Sequence, residues 1–163
     1  QPDEAFITRD MAEAMQEAWT DLTDEKTETN WVLYGYQGKQ LCTLGSGTGG
    51  LAELQGKLDV KEVQFAGLKV SGVDEQENVT STRTKIVRID FTGARVSPLK
   101  RGKVLQAKAS INGIFLGIHC HLQVSTPEEV AAVAIAKSLL ASGGAHKPTY
   151  YEFGSEKVQL ADL

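Results

Sequence analysis

Apolar positions in the first part of the chain recur at helical spacing. Between residues 6 and 22, Ile7, Met11, Ala18 and Leu22 stand four or seven positions apart, and acidic residues lie between them. One turn of an α-helix takes about 3.6 residues, so side chains at these steps share one face. The segment therefore predicts an amphipathic helix, followed by a polar connection.

The pattern then changes to one that is typical of β-strands. Aromatic and β-branched residues fill four segments, and turn-forming sequences separate them in pairs. Gln37-Gly38-Lys39 predicts the turn of a first hairpin, and the acidic stretch 74–81 (DEQENVTS) predicts the loop of a second. The four predicted strands are residues 31–36, 40–44, 60–73 and 84–92.

A long helix is predicted after the fourth strand. Ser97-Pro98 is typical of a helix start, with serine as the N-cap and proline at the first helical position. The apolar repeat of Val104, Ala107 and Ile111 predicts that this helix continues into the region of Gly113 and Gly117.

A strand and another helix complete the predicted elements. Residues 118–124 (IHCHLQV) are strand-like, and Thr126-Pro-Glu-Glu129 is typical of a capping box with proline at the first helical position. The largely apolar helix that follows is expected to be heavily buried and to end near Ser142, before Gly143-Gly144.

The order of elements favours an α/β chain of the α+β type. It is helix, hairpin, a short helix at about residues 51–58, two long strands, helix, strand and helix. This order predicts a mixed sheet of about five strands with helices on both faces, in which the last strand lies parallel to the fourth through a right-handed crossover. We expect residues 1–145 to form one domain and residues 146–163 to form a C-terminal tail.

Composition places the chain among ordinary globular proteins. It has 163 residues, of which 41% are hydrophobic and 23% are charged, so one domain can bury a real core. No apolar run approaches the roughly 18 residues that span a membrane. Two cysteines, Cys42 and Cys120, do not form a disulfide framework. They predict reduced structural thiols and a cytoplasmic location.

Charge is concentrated in one stretch. Residues 83–108 carry eight cationic side chains and one acid, Asp90, a local charge of +7 that leaves −11 for the rest of a chain whose net charge is −4. This polarity predicts a basic patch on an acidic body. Lys100, Arg101 and Lys103 fall at the predicted helix start, where cations oppose the helix dipole. They favour a surface for an acidic partner, and the alternative is a solvated charged face.

Two motifs resemble sites of chemistry. The glycine loop 45–50 (GSGTGG) lies between a strand and a helix, but neither a P-loop lysine nor the dinucleotide spacing accompanies it. A flexible connection is favoured, with nucleotide binding as the alternative. In His119-Cys120-His121, strand alternation puts both histidines on one face and the cysteine on the other. A metal site would need a third and a fourth ligand from elsewhere in the chain, so a structural role is favoured. No catalytic constellation is recognisable, so we expect a binding module without enzyme activity, metal or cofactor.

The expected partner of the basic residues is an acidic protein surface or an anionic membrane surface. Nucleic acid is disfavoured because the chain is acidic overall, with a pI of about 5.4. The aromatic residues within the basic stretch, Phe91 and Phe115, have the pattern of core residues and not of base-stacking platforms.

Several stretches together resemble the actin-depolymerising-factor homology family, and within it the coactosin-like proteins. The resemblance covers roughly residues 6 to 142. The stretches that carry it are Trp31–Tyr36 (WVLYGY), Ser81-Thr-Arg-Thr-Lys85 before the apolar strand Ile86–Phe91, Val96-Ser97 followed by Leu99-Lys-Arg-Gly-Lys103, and Val124-Ser125.

The resemblance implies a mixed sheet with two helices on each face. It also implies binding to actin, filamentous more than monomeric, without enzymatic activity or strong depolymerisation, and an association with the cytoskeleton. We expect the chain to be a monomer. Phosphoinositides or anionic membranes are a further expected partner. Gly102, the glycine loop and the tail depart from the family pattern. The implied actin-binding residues are Arg83, Lys85, Lys100, Arg101, Lys103 and Lys108.

Overall fold

The computed structural model describes residues 9–143 and 147–163. Its helices are α1 (Arg9–Thr23), α2 (Gly50–Gln55), α3 (Pro98–Arg101), α4 (Val104–Ile111) and α5 (Ala132–Ser142), with short 3₁₀ turns at Pro127–Glu129 and Leu160–Asp162. Its strands are β1 (Trp31–Gln37), β2 (Gln40–Gly47), β3 (Val63–Glu75), β4 (Thr80–Thr92), β5 (Cys120–Val124), β6 (Tyr150–Glu152) and β7 (Lys157–Gln159).

The strands of the described residues form one mixed sheet. The order is β2-β1-β3-β4-β5, with β6 paired to β3 and β7 paired to β6. Neighbouring strands are antiparallel except β4 and β5, which are parallel. The predicted mixed sheet and its parallel crossover are therefore confirmed, and the C-terminal segment adds two strands to the five expected. The predicted boundary between residues 145 and 146 lies outside the described residues, as does the predicted helix start at Phe6.

The long β3–β4 hairpin lies in the middle of the sheet. Its ladder runs without a register shift from the pair Val63–Thr92 to the pair Glu75–Thr80. At about 3.3 Å per residue these strands are roughly 40 Å long. β1 accompanies β3 only as far as Leu68, and β6 pairs with residues 71–73 beyond it. The C-terminal hairpin thus continues the sheet where β1 has ended.

A hydrophobic core lies on each face of the sheet, because strand side chains alternate between the faces. Helices α1 and α4 cover one face, and α2 and α5 cover the other, as the resemblance implies. The first core includes Met15, Trp19, Leu22, Tyr34, Phe65, Ala107 and Ile111. The second includes Leu51, Leu54, Val87, Ile89, Phe91, Ile135, Leu139, Tyr151 and Phe153.

The predicted long helix after β4 is divided in two, so that expectation of one continuous helix is wrong. Its start is confirmed, since Ser97 Oγ accepts a hydrogen bond from the Lys100 backbone N–H at 3.3 Å. α3 ends at Gly102, and the helix resumes after Lys103. Glycine is a poor helix former, and all four residues of α3 are exposed, so no packing opposes the break. The apolar face begins only with α4.

The last predicted helix is also interrupted. The capping box between Thr126 and Glu129 is present, but the chain then leaves helical geometry at Val130 and resumes a helix at Ala132. The Val130 side chain is fully buried in the core. Gln55 Nε2 donates to the carbonyl oxygens of Pro127, at 3.2 Å, and Val130, at 2.5 Å. Burial and these bonds offset the helical hydrogen bonds that are lost, so one continuous helix from Thr126 is not formed.

Candidate partner-binding surface

The start of β4 presents the first group of predicted contact residues. Arg83 is exposed and Lys85 is half-buried. β5 pairs with β4 only from Val87 onward, so this end of β4 extends beyond its neighbour. We call Arg83 and Lys85 the strand group.

His119 is hydrogen-bonded to the β4 backbone next to the strand group. Its Nδ1 accepts a hydrogen bond from the Ile86 backbone N–H at 2.9 Å, and its own backbone N–H donates to the Ile86 carbonyl oxygen at 2.7 Å. Burial lowers the pKa of the His119 imidazole, and the positive charge of Lys85 lowers it further. A neutral His119 leaves Lys85 as the cation at this position.

The second group lies around the break between α3 and α4. Lys100, Arg101 and Lys103 are exposed there. Two leucines flank them: Leu99 is 73% exposed and Leu105 is 81% exposed. We call these five residues the α3–α4 ridge. Exposed apolar side chains among cations are typical of a docking surface, because the leucines gain from burial and the cations orient an acidic partner.

The two groups are far apart, so the basic stretch does not form one compact patch. Lys85 stands seven residues before Thr92, the last residue of β4. Thr92 lies beside Glu62, whose carbonyl oxygen accepts the Gly93 N–H and whose Oε2 lies 2.7 Å from Lys100 Nζ. Seven strand residues span about 23 Å. The strand group and Lys100 therefore mark opposite ends of this part of the sheet.

Lys108 is turned inward. Its Nζ lies 3.8 Å from Asp90 Oδ2, and its side chain is 26% exposed. The same carboxylate oxygen lies 2.9 Å from His121 Nε2. Arg88 donates to both oxygens of Asp90, at 2.8 and 3.1 Å. Among the predicted contact residues, Lys108 thus belongs in part to an internal polar network. Arg83, Lys100, Arg101 and Lys103 are exposed, and Lys85 is half-buried.

The hub of that network, Asp90, was not recognised as such from the sequence. It is 3% exposed and faces α4 from the sheet. The signal was present: Asp90 is the one acid in the basic stretch, and Arg88 stands two positions before it, on the same face of a strand. The partners His121 and Lys108 come from β5 and α4, and only the folded chain brings them to it.

The histidines of the His-Cys-His motif have separate structural roles. His121 contacts Asp90, whereas His119 bonds to the β4 backbone. Across residues 9–143 and 147–163, no group of three His, Cys, Asp or Glu side chains is arranged to hold a metal ion. Burial raises the pKa of the Cys120 thiol to about 11, and Cys42 is also a free, buried thiol.

The glycine loop is shorter than expected, because β2 continues to Gly47 and not merely to Leu44. A carboxylate lies at the start of the following helix: Glu53 Oε1 accepts hydrogen bonds from Gly49 N–H at 3.1 Å and from Trp31 Nε1 at 2.6 Å. A phosphate would need the backbone donor that Glu53 already uses, and it would meet a like charge. This geometry argues against the nucleotide alternative.

The sequence pattern of one family matches most of the described chain. The family is described as cofilin/tropomyosin-type actin-binding protein, and the match covers residues 9–140. The chain belongs to the cofilin/ADF family. The predicted resemblance is therefore confirmed, and so is the mixed sheet with helices on both faces that it implied.

Relatives within the cofilin/ADF family include both small and large proteins. The chain is 31% identical to coactosin of Dictyostelium discoideum over 141 residues, which are 83% of this chain and 94% of that protein. It is 27% identical to the drebrin-like protein of Mus musculus over 152 residues, or 92% of this chain. The chain spans about a third of the length of such drebrin-like relatives.

Solved structures agree with the fold. Crystal structures of human coactosin-like protein superpose with a TM-score of 0.70 at 21% identity, covering 79% of this chain and 95% of that one. The solution structure of mouse coactosin, described as an actin filament binding protein, has a TM-score of 0.66 at 22% identity and covers 82% and 90% of the two chains. These similarities establish the shared architecture.

No helix in the described part of this cofilin/ADF chain has both the length and the apolar character needed to cross a lipid bilayer.

Proposed function

We propose that this domain binds the sides of actin filaments and regulates them as a monomeric, non-enzymatic module of the cytoplasmic cytoskeleton. Membership of the cofilin/ADF family supports actin as the partner. The observation that carries the proposal is the α3–α4 ridge, where Leu99 and Leu105 are largely exposed beside three cations.

The ridge has the composition of a binding hot spot. Leu99 and Leu105 stand six positions apart and are both largely exposed, and burying each against a partner contributes roughly 1.5–3 kcal/mol. Lys100, Arg101 and Lys103 complement an acidic surface and should mainly set the encounter rate and the salt dependence. An acidic protein surface that also offers an apolar pocket would satisfy both parts of the ridge.

The strand group supports a filament over a monomer as the preferred partner. Lys85 lies about 23 Å along β4 from Thr92, near which Lys100 pairs with Glu62, and Arg83 lies two residues further away. A filament presents neighbouring actin subunits to a bound domain, so the strand group and the ridge can contact different subunits at the same time. Binding that spans subunits favours the filament state, and we propose that this domain does not strongly depolymerise it.

A second proposed partner is an anionic membrane surface, including phosphoinositides. The exposed cations of both groups favour it, since each basic residue near an anionic bilayer contributes about 1 kcal/mol. The same cations would then serve actin and lipid in competition. Nucleic acid remains disfavoured because the rest of the chain is strongly acidic.

Co-sedimentation with actin filaments across a salt series tests the proposal. We expect the domain to pellet with filaments at high speed, less so as salt rises, with little added actin in the supernatant. Leu105→Ala and Lys85→Ala should each weaken binding, the latter by about 2–5 kcal/mol if its contact is buried. Leu116→Ala and Lys39→Ala change an exposed leucine and an exposed lysine outside both groups and should bind normally.

Two results would count against the proposal. Absence of pelleting at the lowest salt would reject filament binding as a whole. Normal binding by Lys85→Ala or Leu105→Ala would reject the corresponding contact and leave the other group to explain binding.

A further inference from the structure

We propose that Ser97 is a phosphorylation site for a proline-directed protein kinase, and that its modification weakens filament binding by the adjacent α3–α4 ridge. The consequence for binding rests on the proposed function, whereas the modification itself does not. α3 is only four residues long. The proposal concerns covalent modification of the Ser97 hydroxyl and does not require α3 to bind a free anion.

The local sequence has the form that such kinases select. Ser97 is followed by Pro98, and Lys100 stands three positions after the serine. Proline at the next position carries no backbone N–H and has a fixed φ angle, so an apolar kinase pocket can select it. A basic residue three positions on pairs with acidic groups of the enzyme. Ser97 itself has φ −65° and ψ 155°, the extended conformation that a following proline favours.

The segment is accessible to an enzyme cleft. Ser97 and the six residues after it are all exposed. Its hydroxyl makes a long hydrogen bond, 3.3 Å from the Lys100 N–H. Because Gly102 and Lys103 separate α3 from α4, the short helix can open without disturbing the apolar face that begins at Val104. Segments with few buried contacts open locally at low free-energy cost.

The Thr126-Pro127 sequence provides an internal comparison with Ser97-Pro98. Thr126 precedes Pro127, but it is half-buried, and its hydroxyl lies 3.1 Å from Glu129 Oε1 in the capping box. The residue three positions after Thr126 is that same glutamate, so the basic determinant is replaced by an acid. We therefore expect the kinase to modify Ser97 and to leave Thr126 unmodified.

The chemistry is a phosphoryl transfer from ATP. The bond between the γ-phosphorus of ATP and its bridging oxygen breaks, a bond from that phosphorus to Ser97 Oγ forms, and ADP leaves. The hydroxyl proton passes to the catalytic aspartate of the kinase. The product carries about −1.5 to −2 charges at neutral pH.

That charge arises within one helical turn of the ridge. It neutralises Lys100 and Arg101 in part and competes with Glu62 for Lys100 Nζ, which now lies 2.7 Å from that carboxylate. An acidic partner surface would meet a phosphate where it had met cations. Like charges across an interface oppose association, chiefly by slowing encounter.

The first test examines the modification alone. The full chain is incubated with a cyclin-dependent kinase and ATP, and the sites are mapped by mass spectrometry. We expect one phosphate on Ser97 of the wild-type chain and no phosphate in Ser97→Ala. Thr126→Ala should be phosphorylated on Ser97 to the same extent as wild type. Circular dichroism verifies that both variants are folded. Failure to modify Ser97 in the folded wild-type chain, or equal modification of Thr126, would overturn the assignment.

The second test measures the consequence. Phosphorylated and unmodified protein are compared by co-sedimentation with actin filaments, with Ser97→Ala as the unmodifiable control. We expect phosphorylation to weaken binding about fivefold or more at low salt and less at high salt, where charges are screened. Ser97→Ala should bind like unmodified protein before and after kinase treatment.

The outcomes separate the two proposals. Equal binding of the phosphorylated and unmodified proteins would overturn the regulatory role and leave filament binding intact. If unmodified protein does not pellet at all, the proposed function fails and the regulatory role fails with it, while the mass measurement still decides whether Ser97 is the site.

Discussion

Arg88 and Asp90 form an ion pair that is buried between the sheet and α4. The guanidinium Nε lies 2.8 Å from Asp90 Oδ1, and the two side chains are only 9% and 3% exposed. Arg88 also donates to Asn112 Oδ1 at 2.9 Å and lies over the Phe115 ring at 4.4 Å. One cation and the one acid of the basic stretch therefore stabilise the interior and are withdrawn from the surface.

Removing one partner of this pair should be far more costly than removing a surface pair. Asp90→Ala leaves the Arg88 guanidinium buried without its carboxylate, so we expect the free energy of unfolding to fall by about 3–5 kcal/mol. Glu62→Ala, which removes the exposed partner of Lys100, should cost about 0–1 kcal/mol. Urea denaturation of both variants measures the difference. A loss below 1 kcal/mol for Asp90→Ala would show that Arg88 finds water or another partner.

The contact between Glu53 and Trp31 predicts a pH-dependent contribution to stability. The hydrogen bond from Trp31 Nε1, followed by that from Gly49 N–H, lowers the pKa of the Glu53 carboxyl. A carboxyl whose pKa is lower in the folded state stabilises the fold above its unfolded value, about 4.3 for glutamate. That stabilisation is lost as the pH falls through the folded pKa.

Glu53→Gln isolates this effect, because the amide oxygen can still accept hydrogen bonds but carries no charge. We expect the variant to melt at a lower temperature than wild type at pH 7, and the two melting temperatures to converge as the pH falls below about 4. Glu25→Gln changes an exposed acid outside this contact and serves as the control. A gap between Glu53→Gln and wild type that stays constant with pH would mean that the charge is irrelevant to the contact.

The sequence was informative wherever local pattern and packing agree. Residues 31–36 and the existence of the two long strands were predicted correctly, because their alternation matches two buried faces. The start of α3 was predicted from Ser97-Pro98 for the same reason, since the cap is a local interaction. The acidic loop is shorter than the predicted 74–81, since β3 continues to Glu75 and β4 begins at Thr80.

The sequence was misleading where tertiary contacts override a local pattern. The helix predicted from Thr126 breaks because the core takes up Val130 and Gln55 binds the freed carbonyl. The predicted basic patch is divided because Lys85 lies in the first half of β4, whereas Lys100 of α3 pairs with Glu62 beside the end of β4. The strands β6 and β7 were missed, since each has only three residues and the pairing of β6 with β3 is set by the whole fold.

The C-terminal hairpin should be essential to the stability of the domain. Phe153 is 1% exposed in the core, and its carbonyl oxygen accepts the Leu51 N–H at 3.2 Å, which ties the hairpin to α2. Phe153→Ala removes a large buried ring and should lower the free energy of unfolding by about 3–5 kcal/mol. Glu156→Ala, an exposed position in the same hairpin, should change it by no more than about 0.5 kcal/mol.

Chemical denaturation monitored by circular dichroism distinguishes these two variants. A small effect of Phe153→Ala would mean that the hairpin is dispensable and that residues 9–143 hold the fold without it.

The separation of the strand group from the α3–α4 ridge makes a quantitative prediction about filament binding. Lys85→Ala and Lys103→Ala alter positions in different groups: Lys85 lies about 23 Å along β4 from Thr92, whereas Lys103 lies three residues after Lys100, which pairs with Glu62 beside that end of β4. Their effects on the free energy of binding should therefore add to within about 0.5 kcal/mol in the double variant. Filament co-sedimentation at one fixed salt concentration gives all three affinities. Effects that are strongly non-additive would mean that both lysines serve one overlapping contact. If Lys103→Ala alone is silent, Lys103 would not be one of the ridge residues that contact the filament.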